Sequence, residues 1–247
     1  MQNTIIAGKN PVMEALKSGR SINKIMVIKG KTGGLNRHLS LASKKKIPIQ
    51  TVSASKLDEL SPERNHQGII AEVATKDYVD FDEMLNASKK SAEPFLILLD
   101  GLEDPRNLGA IMRTAEAVAC HGIIIPKRRS VSLNQTVAKT SAGAIEYVPV
   151  SRVPNLVMAM EKLKKEGFWI VGCEASANEN IYDLNLKGPI AVVIGSEGKG
   201  LNRLVAENCD FLAKIPMKGK LNSLNASVAA SIVMYEVLRQ RQGCYKS

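Results

Sequence analysis

The sequence predicts an α/β fold, with a mostly parallel sheet in the C-terminal part of the chain and a smaller α/β unit before it. From Phe95 onward, short apolar segments alternate with helical ones. Strands that are apolar throughout are typical of a parallel sheet with helices on both faces. A polar, charge-mixed stretch precedes them. We therefore predict an N-terminal domain over residues 1–75, a linker over 76–93 and a C-terminal domain over 94–247.

The individual elements are predicted from hydrophobic periodicity. In the N-terminal domain it indicates helices over residues 11–18, 35–46 and 53–60, and strands over 22–28, 47–52 and 68–73. One helix is expected in the linker. The C-terminal domain shows strand-length apolar runs over 95–99, 122–125, 168–172, 189–195 and 211–216. A helix is predicted over 153–165, and a last helix has apolar positions at Leu224, Val228, Ile232 and Tyr235.

The formal net charge of +10 is concentrated near the N-terminus. Residues 1–57 contain eleven Lys and Arg residues and one acid, Glu14, whereas the other 190 residues contain 23 of each kind. Such a field favours a polyanionic partner, because contacts to phosphates release counterions. A solvated, solubilising surface explains the charge equally well.

The cysteines and the chain start bear on the compartment. Cys120, Cys173, Cys209 and Cys244 include no C-x-x-C pair, which argues against a disulfide scaffold or a structural zinc site. The first residues lack the features of a signal peptide, and the longest apolar runs are too short to span a membrane. We therefore predict a cytoplasmic protein that has no membrane association and no metal site.

The first of three unusual loops follows the strand over residues 95–99. Asp104 and Pro105 can cap and open a helix. One face of that helix is apolar, and the other carries Arg106 and Arg113 among small residues. This surface suits close approach of a nucleic-acid backbone or of another subunit. An ordinary amphipathic helix with solvated arginines is the alternative.

The second loop, residues 195–201, contains three glycines, which allow positive φ and close approach to a ligand. It matches neither the P-loop nor the dinucleotide-binding glycine pattern. Glu197 stands between glycines, where its carboxylate can anchor an uncharged polar or cationic group.

The third loop, residues 215–230, leaves a strand and enters the last helix. Ser223 or Asn222 can be the N-cap of this helix. Capping alone would explain Ser223, and Asn225 would then be a surface residue in the first turn. The helix start offers unpaired N–H groups and positive potential to a carboxylate or a phosphate.

In this order and spacing, the three segments resemble the signature motifs of the SpoU/TrmH ribose 2′-O-methyltransferases. These motifs are N-x-G-x-x-x-R-T-A, G-S-E-G and I-P-M…S-L-N-A-S-V-A, and the resemblance covers about residues 95–240. Residues 8–16 and 66–68 resemble the family's substrate-binding domain, a small α/β RNA-binding unit.

The resemblance implies a trefoil knot in the C-terminal domain, S-adenosylmethionine as methyl donor, and a homodimer whose site is completed across the interface. Within the family, the chain is most similar to enzymes that methylate the ribose of a guanosine in 23S ribosomal RNA. A separate basic domain also favours ribosomal over transfer RNA. The alternatives are a transfer-RNA ribose methyltransferase and a non-catalytic RNA-binding protein.

The match of motifs also implies site residues. The implied cofactor-binding residues are Gly195, Ile215 and Leu224, and the implied catalytic residues are Asn107, Arg113, Glu197, Ser223 and Asn225. We expect Arg113 to position and polarise the ribose hydroxyl. A role as general base stays open, because a guanidinium normally remains protonated.

Overall fold

The computed structural model of the chain describes residues 3–30, 33–61, 66–220 and 223–242. The helices, in chain order, are α1 (Lys9–Ser18), α2 (Asn36–Lys44), α3 (Ala54–Leu60), α4 (Phe81–Ser88), α5 (Pro105–Ala117), α6 (Gln135–Thr140), α7 (Leu156–Lys165), α8 (Arg203–Glu207) and α9 (Ala226–Arg241). The strands are β1 (Asn3–Ala7), β2 (Ile22–Ile28), β3 (Ile49–Val52), β4 (Ile69–Ala74), β5 (Phe95–Asp100), β6 (Gly122–Pro126), β7 (Val150–Val153), β8 (Trp169–Cys173), β9 (Glu179–Asn180), β10 (Ile190–Gly195) and β11 (Phe211–Lys214). None of the helices in these ranges is long and apolar enough to cross a membrane.

The chain divides into two compact units that do not follow chain order. Unit 1 comprises Met1–Asp77 and Leu133–Tyr147, and unit 2 comprises Tyr78–Ser132 and Val148–Ser247. This division differs from the predicted layout in two places. The helix of the predicted linker, α4, belongs to unit 2, and residues 133–147 of the predicted C-terminal domain belong to unit 1.

Burial and ion pairing explain both differences. In α4, Met84 and Leu85 are buried in the core cluster of unit 2 that also contains Leu96. In unit 1, the guanidinium of Arg20 donates to Glu146 at 2.6 Å, and the two side chains are only 7% and 1% exposed. A pairing between residues 126 positions apart leaves no local signal in the sequence.

Unit 1 is built on a four-stranded mixed sheet in the order β1-β4-β2-β3. Strands β1 and β2 pair antiparallel with β4, and β2 pairs parallel with β3. The helices predicted before residue 76 are present as α1 to α3, and the predicted strands as β2 to β4. Strand β1 was not predicted, because only Ile5 and Ile6 in it are large apolar residues.

Unit 2 contains a seven-stranded sheet in the order β7-β6-β5-β10-β8-β11-β9, and its pairings are parallel, as predicted. The adjacent strands β5 and β10 are buried along their whole length, which explains why they are apolar except for Asp100 at the end of β5. Because the strands run the same way, the loops that follow β5, β6, β10 and β11 emerge at one edge of the sheet. That carboxyl edge holds the three unusual loops.

The helix predicted over residues 153–165 begins later than expected. Strand β7 runs over Val150–Val153, and α7 starts only at Leu156. Asn155 caps α7, since its side-chain oxygen accepts the backbone N–H of Val157 at 2.8 Å.

The last helix, α9, is apolar on more than one side. Val228 and Tyr235 are 46% and 53% exposed, whereas Ala230, Val233 and Met234 are fully buried. The apolar spacing seen in the sequence therefore marks the exposed side of this helix, and the buried side follows a second set of apolar residues.

Candidate cofactor and catalytic site

A pocket of about 360 Å³ lies at the carboxyl edge of the sheet of unit 2. Its walls come from the loops after β8, β10 and β11 and from the start of α9. The predicted site residues that line it are Gly195, Glu197, Ile215, Ser223 and Leu224. The other three, Asn107, Arg113 and Asn225, do not line it.

The glycine loop, residues 195–200, forms a tight turn on one side of the pocket. Ser196 and Gly200 exchange backbone hydrogen bonds of 3.1 and 3.0 Å. A Cβ atom on Gly195 would lie 2.3 Å from the carbonyl carbon and oxygen of Gly200, so a larger residue does not fit there. This close approach of two backbone segments is the reason for glycine at position 195.

Two carboxylates that sequence patterns did not single out hold this loop. Asp100, at the end of β5, is 4% exposed and accepts the backbone N–H of Asn202 at 2.7 Å and its side-chain amide at 2.6 Å. Glu174, directly after β8, accepts the backbone N–H of Leu201 at 3.2 Å and lines the pocket. Their positions at the carboxyl ends of predicted strands were the sequence signal that could have indicated a role at the site.

Three predicted catalytic residues from separate loops meet in one hydrogen-bond network. The side-chain amide of Asn107 donates to Oε1 of Glu197 at 2.9 Å. The amide of Asn225 donates to Oδ1 of Asn107 at 3.1 Å and also to Oε1 of Glu197. The backbone N–H of Ala226 points to the same carboxylate oxygen at 3.4 Å. Glu197 thus accepts hydrogen bonds from uncharged amides of the protein itself, and its catalytic role stays a prediction.

The predicted N-cap of the last helix is wrong. Asn225 caps α9: its side-chain oxygen accepts the backbone N–H groups of Ser227 at 2.9 Å and Val228 at 3.3 Å. Ser223 lies two residues before the cap, at the pocket, and Asn222 lies outside the described residues. Asn225 therefore has two tasks, because its oxygen holds the helix start and its amide joins the network around Glu197.

Arg113 projects from the exposed side of α5. Its guanidinium makes no hydrogen bond or ion pair with the part of the chain that the structure describes. The inner side of the same helix is fixed, since Asn107 joins the network and the hydroxyls of Thr114 and Ser231 lie 2.9 Å apart. A helix locked to the pocket thus presents an unpaired arginine to solvent.

Neither a reactive thiol nor a metal-ligand cluster is found at the pocket. Burial, and to a smaller extent the carboxylate of Glu174, raises the pKa of the Cys173 thiol to about 11. This pocket-lining thiol stays protonated at neutral pH, which does not suit a nucleophile. Across the described ranges, no group of three or more His, Cys, Asp or Glu side chains could hold a metal ion.

The pocket fits a ligand that has both apolar and polar groups. Ile194, Ile215 and Leu224 provide apolar walls, whereas Glu174 and the backbone of the glycine loop provide hydrogen-bonding groups. Its volume is in the range of small-molecule sites, and the carboxyl edge of a parallel sheet is where α/β enzymes bind nucleotide-like ligands. Fold and site together are typical of an α/β enzyme that takes a small, nucleotide-like cofactor.

The sequence is similar to family models and to known proteins. The sequence model of the SpoU rRNA Methylase family matches residues 94–235, and the model described as RNA 2′-O ribose methyltransferase substrate binding matches residues 5–79. The chain is 50% identical over 242 residues to YacO of Bacillus subtilis, a protein assigned to the TrmH family of tRNA/rRNA methyltransferases. That match covers 97% of each chain.

Solved structures share the fold. The SpoU methyltransferase AviRb from Streptomyces viridochromogenes, in complex with the cofactor AdoMet, has a TM-score of 0.81 at 22% identity over 97% of this chain and 91% of its own. An RNA 2′-O ribose methyltransferase has a TM-score of 0.80 at 26% identity over 98% of this chain and 90% of its own. The TrmH/SpoU tRNA modifying enzyme of A. aeolicus matches 66% of this chain and 82% of its own, with a TM-score of 0.56 at 28% identity.

The chain belongs to the SpoU/TrmH family of RNA methyltransferases. It is an RNA 2′-O-methyltransferase, and S-adenosylmethionine is the methyl donor of this family. The predicted family, enzyme class, cofactor and α/β fold with an N-terminal substrate-binding domain are confirmed.

We expect Gly195→Ala to weaken binding of S-adenosylmethionine by about 10- to 100-fold. The new Cβ would meet backbone atoms of Gly200, so the turn must open, and forcing an extra carbon into a packed site costs about 1–3 kcal/mol. Isothermal titration calorimetry in the presence of EDTA measures the affinity. Gly219→Ala is the matched control, because no described residue lies within 4 Å of a Cβ at that position and Gly219 does not line the pocket. Equal affinities of the two variants would contradict the assignment of the glycine loop to the cofactor.

Proposed function

We propose that this enzyme methylates the ribose 2′-hydroxyl of a guanosine in 23S ribosomal RNA. The separate N-terminal substrate-binding domain carries the proposal. The TrmH/SpoU tRNA modifying enzyme of A. aeolicus matches only 66% of the chain, whereas the RNA 2′-O ribose methyltransferase matches 98% of it. The N-terminal substrate-binding domain of this chain has eleven cations and one acid in its first 57 residues, which suits a large, phosphate-rich substrate.

In this proposal the pocket holds S-adenosylmethionine, which supplies an electrophilic methyl group. Backbone groups of Gly195, Ile215 and Leu224 contact it. Those of Ile215 and Leu224 make no hydrogen bond with other described residues, so they are available to a ligand. The carboxylate of Glu174 provides a further acceptor in the same pocket.

Each of the implied catalytic residues is given a role in this proposal. Asn107, Glu197 and Asn225 hold α5, the glycine loop and α9 together, so that the edge of the pocket is rigid. Ser223 offers its hydroxyl at the pocket. Arg113 positions and polarises the ribose hydroxyl. As the hydroxyl oxygen forms the new O–CH₃ bond, the bond from the methyl group to the sulfonium sulfur would break, S-adenosylhomocysteine would leave, and the hydroxyl proton would pass to solvent. Alignment of the two reactants then supplies much of the rate enhancement.

A homodimer is part of the same proposal. On α9, Val228 and Tyr235 are exposed, and Tyr182 nearby in the structure of unit 2 is 48% exposed. Exposed apolar side chains on one helix mark an interaction surface when they form a patch. Arg113 lies outside the pocket of its own chain, as expected if the Arg113 side chain of one subunit reaches the pocket of the other.

Two further predictions belong to this proposal. The trefoil knot would be an exception to the rule that chains do not thread their own loops. It would bring together the segments after β10 and β11, which both line the pocket.

A cytoplasmic location is supported by free thiols at Cys120, Cys173 and Cys209, which suit a reducing compartment.

Mapping 2′-O-methyl groups in a deletion strain tests the target. We expect one guanosine of 23S ribosomal RNA to lose its methyl group and to regain it when the gene is restored, because the substrate domain is proposed to capture ribosomal RNA. Loss of a methyl group in transfer RNA instead would identify the alternative substrate. An unchanged map in both RNAs would contradict the proposed target.

A further inference from the structure

The loop after β6 carries three consecutive cations that are not neutralised. Lys127, Arg128 and Arg129, which we call the basic loop, are all exposed. None of them forms an ion pair with a residue that the structure describes. Some other cations of unit 2 are paired, as Lys162 is with Asp82. The basic loop therefore has charge available for a partner.

The backbone of the basic loop is held in place. The N–H of Lys127 donates to the carbonyl of Val153 at 2.8 Å, and its carbonyl accepts from the guanidinium of Arg152 at 2.8 Å. At the other end, the N–H of Val131 donates to the carbonyl of Leu102 at 2.9 Å. A loop fixed in this way loses little conformational entropy when its side chains bind a ligand.

The basic loop lies at the same edge of the sheet as the proposed catalytic residues. Strand β6 is the direct neighbour of β5, and the two pair parallel. The loop after β5 leads into α5, which carries Asn107 and Arg113. The hydrogen bond from Val131 to Leu102 ties the two loops together. A strand of RNA that reaches Arg113 would therefore pass the loop of the neighbouring strand.

An open groove adjoins the basic loop and adds a further cation. Lys127 and Arg152 line this groove of about 780 Å³. Two aspartates and Lys162 also line it, and Asp82 pairs with Lys162. The three cations and two carboxylates leave a net charge of +1 around the groove, which suits an anion.

We propose that the basic loop binds the phosphate backbone of the RNA substrate, as a contact on unit 2 in addition to the N-terminal substrate domain. This inference rests on the proposed ribosomal RNA substrate. Exposed arginines bind phosphate oxygens through two parallel N–H groups, and each phosphate neutralised releases counterions. Substrate binding is then divided between the two units, although the excess charge of the sequence lies in residues 1–57.

The double variant Arg128→Ala/Arg129→Ala tests the inference. The full-length protein is titrated with a labelled, unmodified transcript of 23S ribosomal RNA over a series of salt concentrations. The slope of log Kd against log salt should flatten by about 1.4 to 2, because two phosphate contacts are lost. Affinity at low salt should fall, while the affinity for S-adenosylmethionine should stay that of the wild type, since neither arginine lines the cofactor pocket.

The matched control is Lys165→Ala/Lys187→Ala. Both lysines are exposed and without an ion pair among the described residues, and they precede β8 and β10 at the opposite edge of the sheet. The control loses the same charge and should keep the wild-type slope. A wild-type slope in the arginine variant, or an equal change in the control, would overturn the phosphate site alone. Failure of the wild-type protein to bind the transcript would overturn the proposed ribosomal target and this inference with it.

Discussion

Arg113→Ala is expected to lower kcat/KM for methyl transfer by about 10²- to 10⁴-fold, the range for loss of a positioned group that assists proton removal. The affinity for S-adenosylmethionine should not change. Arg113 does not line the pocket and makes no contact with the described chain through its guanidinium, so its removal leaves the fold and the pocket as they are. Single-turnover transfer to RNA and calorimetric titration of the cofactor measure the two quantities.

Two other variants separate the role of Arg113 from loss of charge. Arg106→Ala removes an exposed arginine from the same helix and should retain much more activity. Arg113→Lys keeps the charge without the planar fork and should fall between the alanine variant and the wild type. If Arg113→Ala lost cofactor binding and transfer equally while still folded, the assigned role would be wrong.

Glu197→Ala should weaken both cofactor binding and methyl transfer, with a loss in kcat/KM of about 10²-fold. The carboxylate accepts hydrogen bonds from Asn107, Asn225 and the backbone of Ala226. Without it, the amide of Asn107, which is only 7% exposed, has lost its acceptor, and a buried unsatisfied group costs about 1–3 kcal/mol. The pocket edge would then shift, and small misplacements of reacting groups cost on the order of 10²-fold.

The size of this effect is judged against two substitutions of carboxylates. Glu197→Gln keeps one acceptor oxygen for the amides and should retain more activity than the alanine variant. Glu207→Ala removes an exposed carboxylate of α8 whose one ion pair among the described residues is with Arg203, and should behave as the wild type. Normal kcat/KM and cofactor affinity in Glu197→Ala would show that the network is dispensable.

Much of unit 2 could be predicted because its signals are local. Strands β5 and β10 are apolar runs, apart from Asp100 at the end of β5, and burial on both faces of a sheet favours such runs. The motifs grouped Asn107, Glu197 and Asn225 although they lie up to 118 positions apart, and the structure shows them in direct contact.

What could not be predicted depends on contacts between distant segments. Asp100 and Glu174 look like ordinary acids after a strand until Asn202 and Leu201 are seen to donate to them. The N-cap of α9 was misassigned because Ser223, Asn222 and Asn225 are all residue types that cap helices well. Hydrogen-bond geometry decides among them. Helix α9 has apolar residues on two sides, and only packing in the folded unit decides that the side with Ala230, Val233 and Met234 is the buried one.

Residues 133–147 belong to unit 1, which contains the substrate-binding domain. This unit is therefore discontinuous in sequence, and the chain passes between the two units three times. Cutting at a single point near residue 75 would remove Arg20 and Glu14 and leave behind Glu146, whose side chain is 1% exposed, and Tyr147, which donates to Glu14 at 2.6 Å. A chimaera that exchanges the substrate specificity of two relatives must therefore graft both segments together. The substrate unit therefore cannot be separated from the catalytic one by a single cut in the chain.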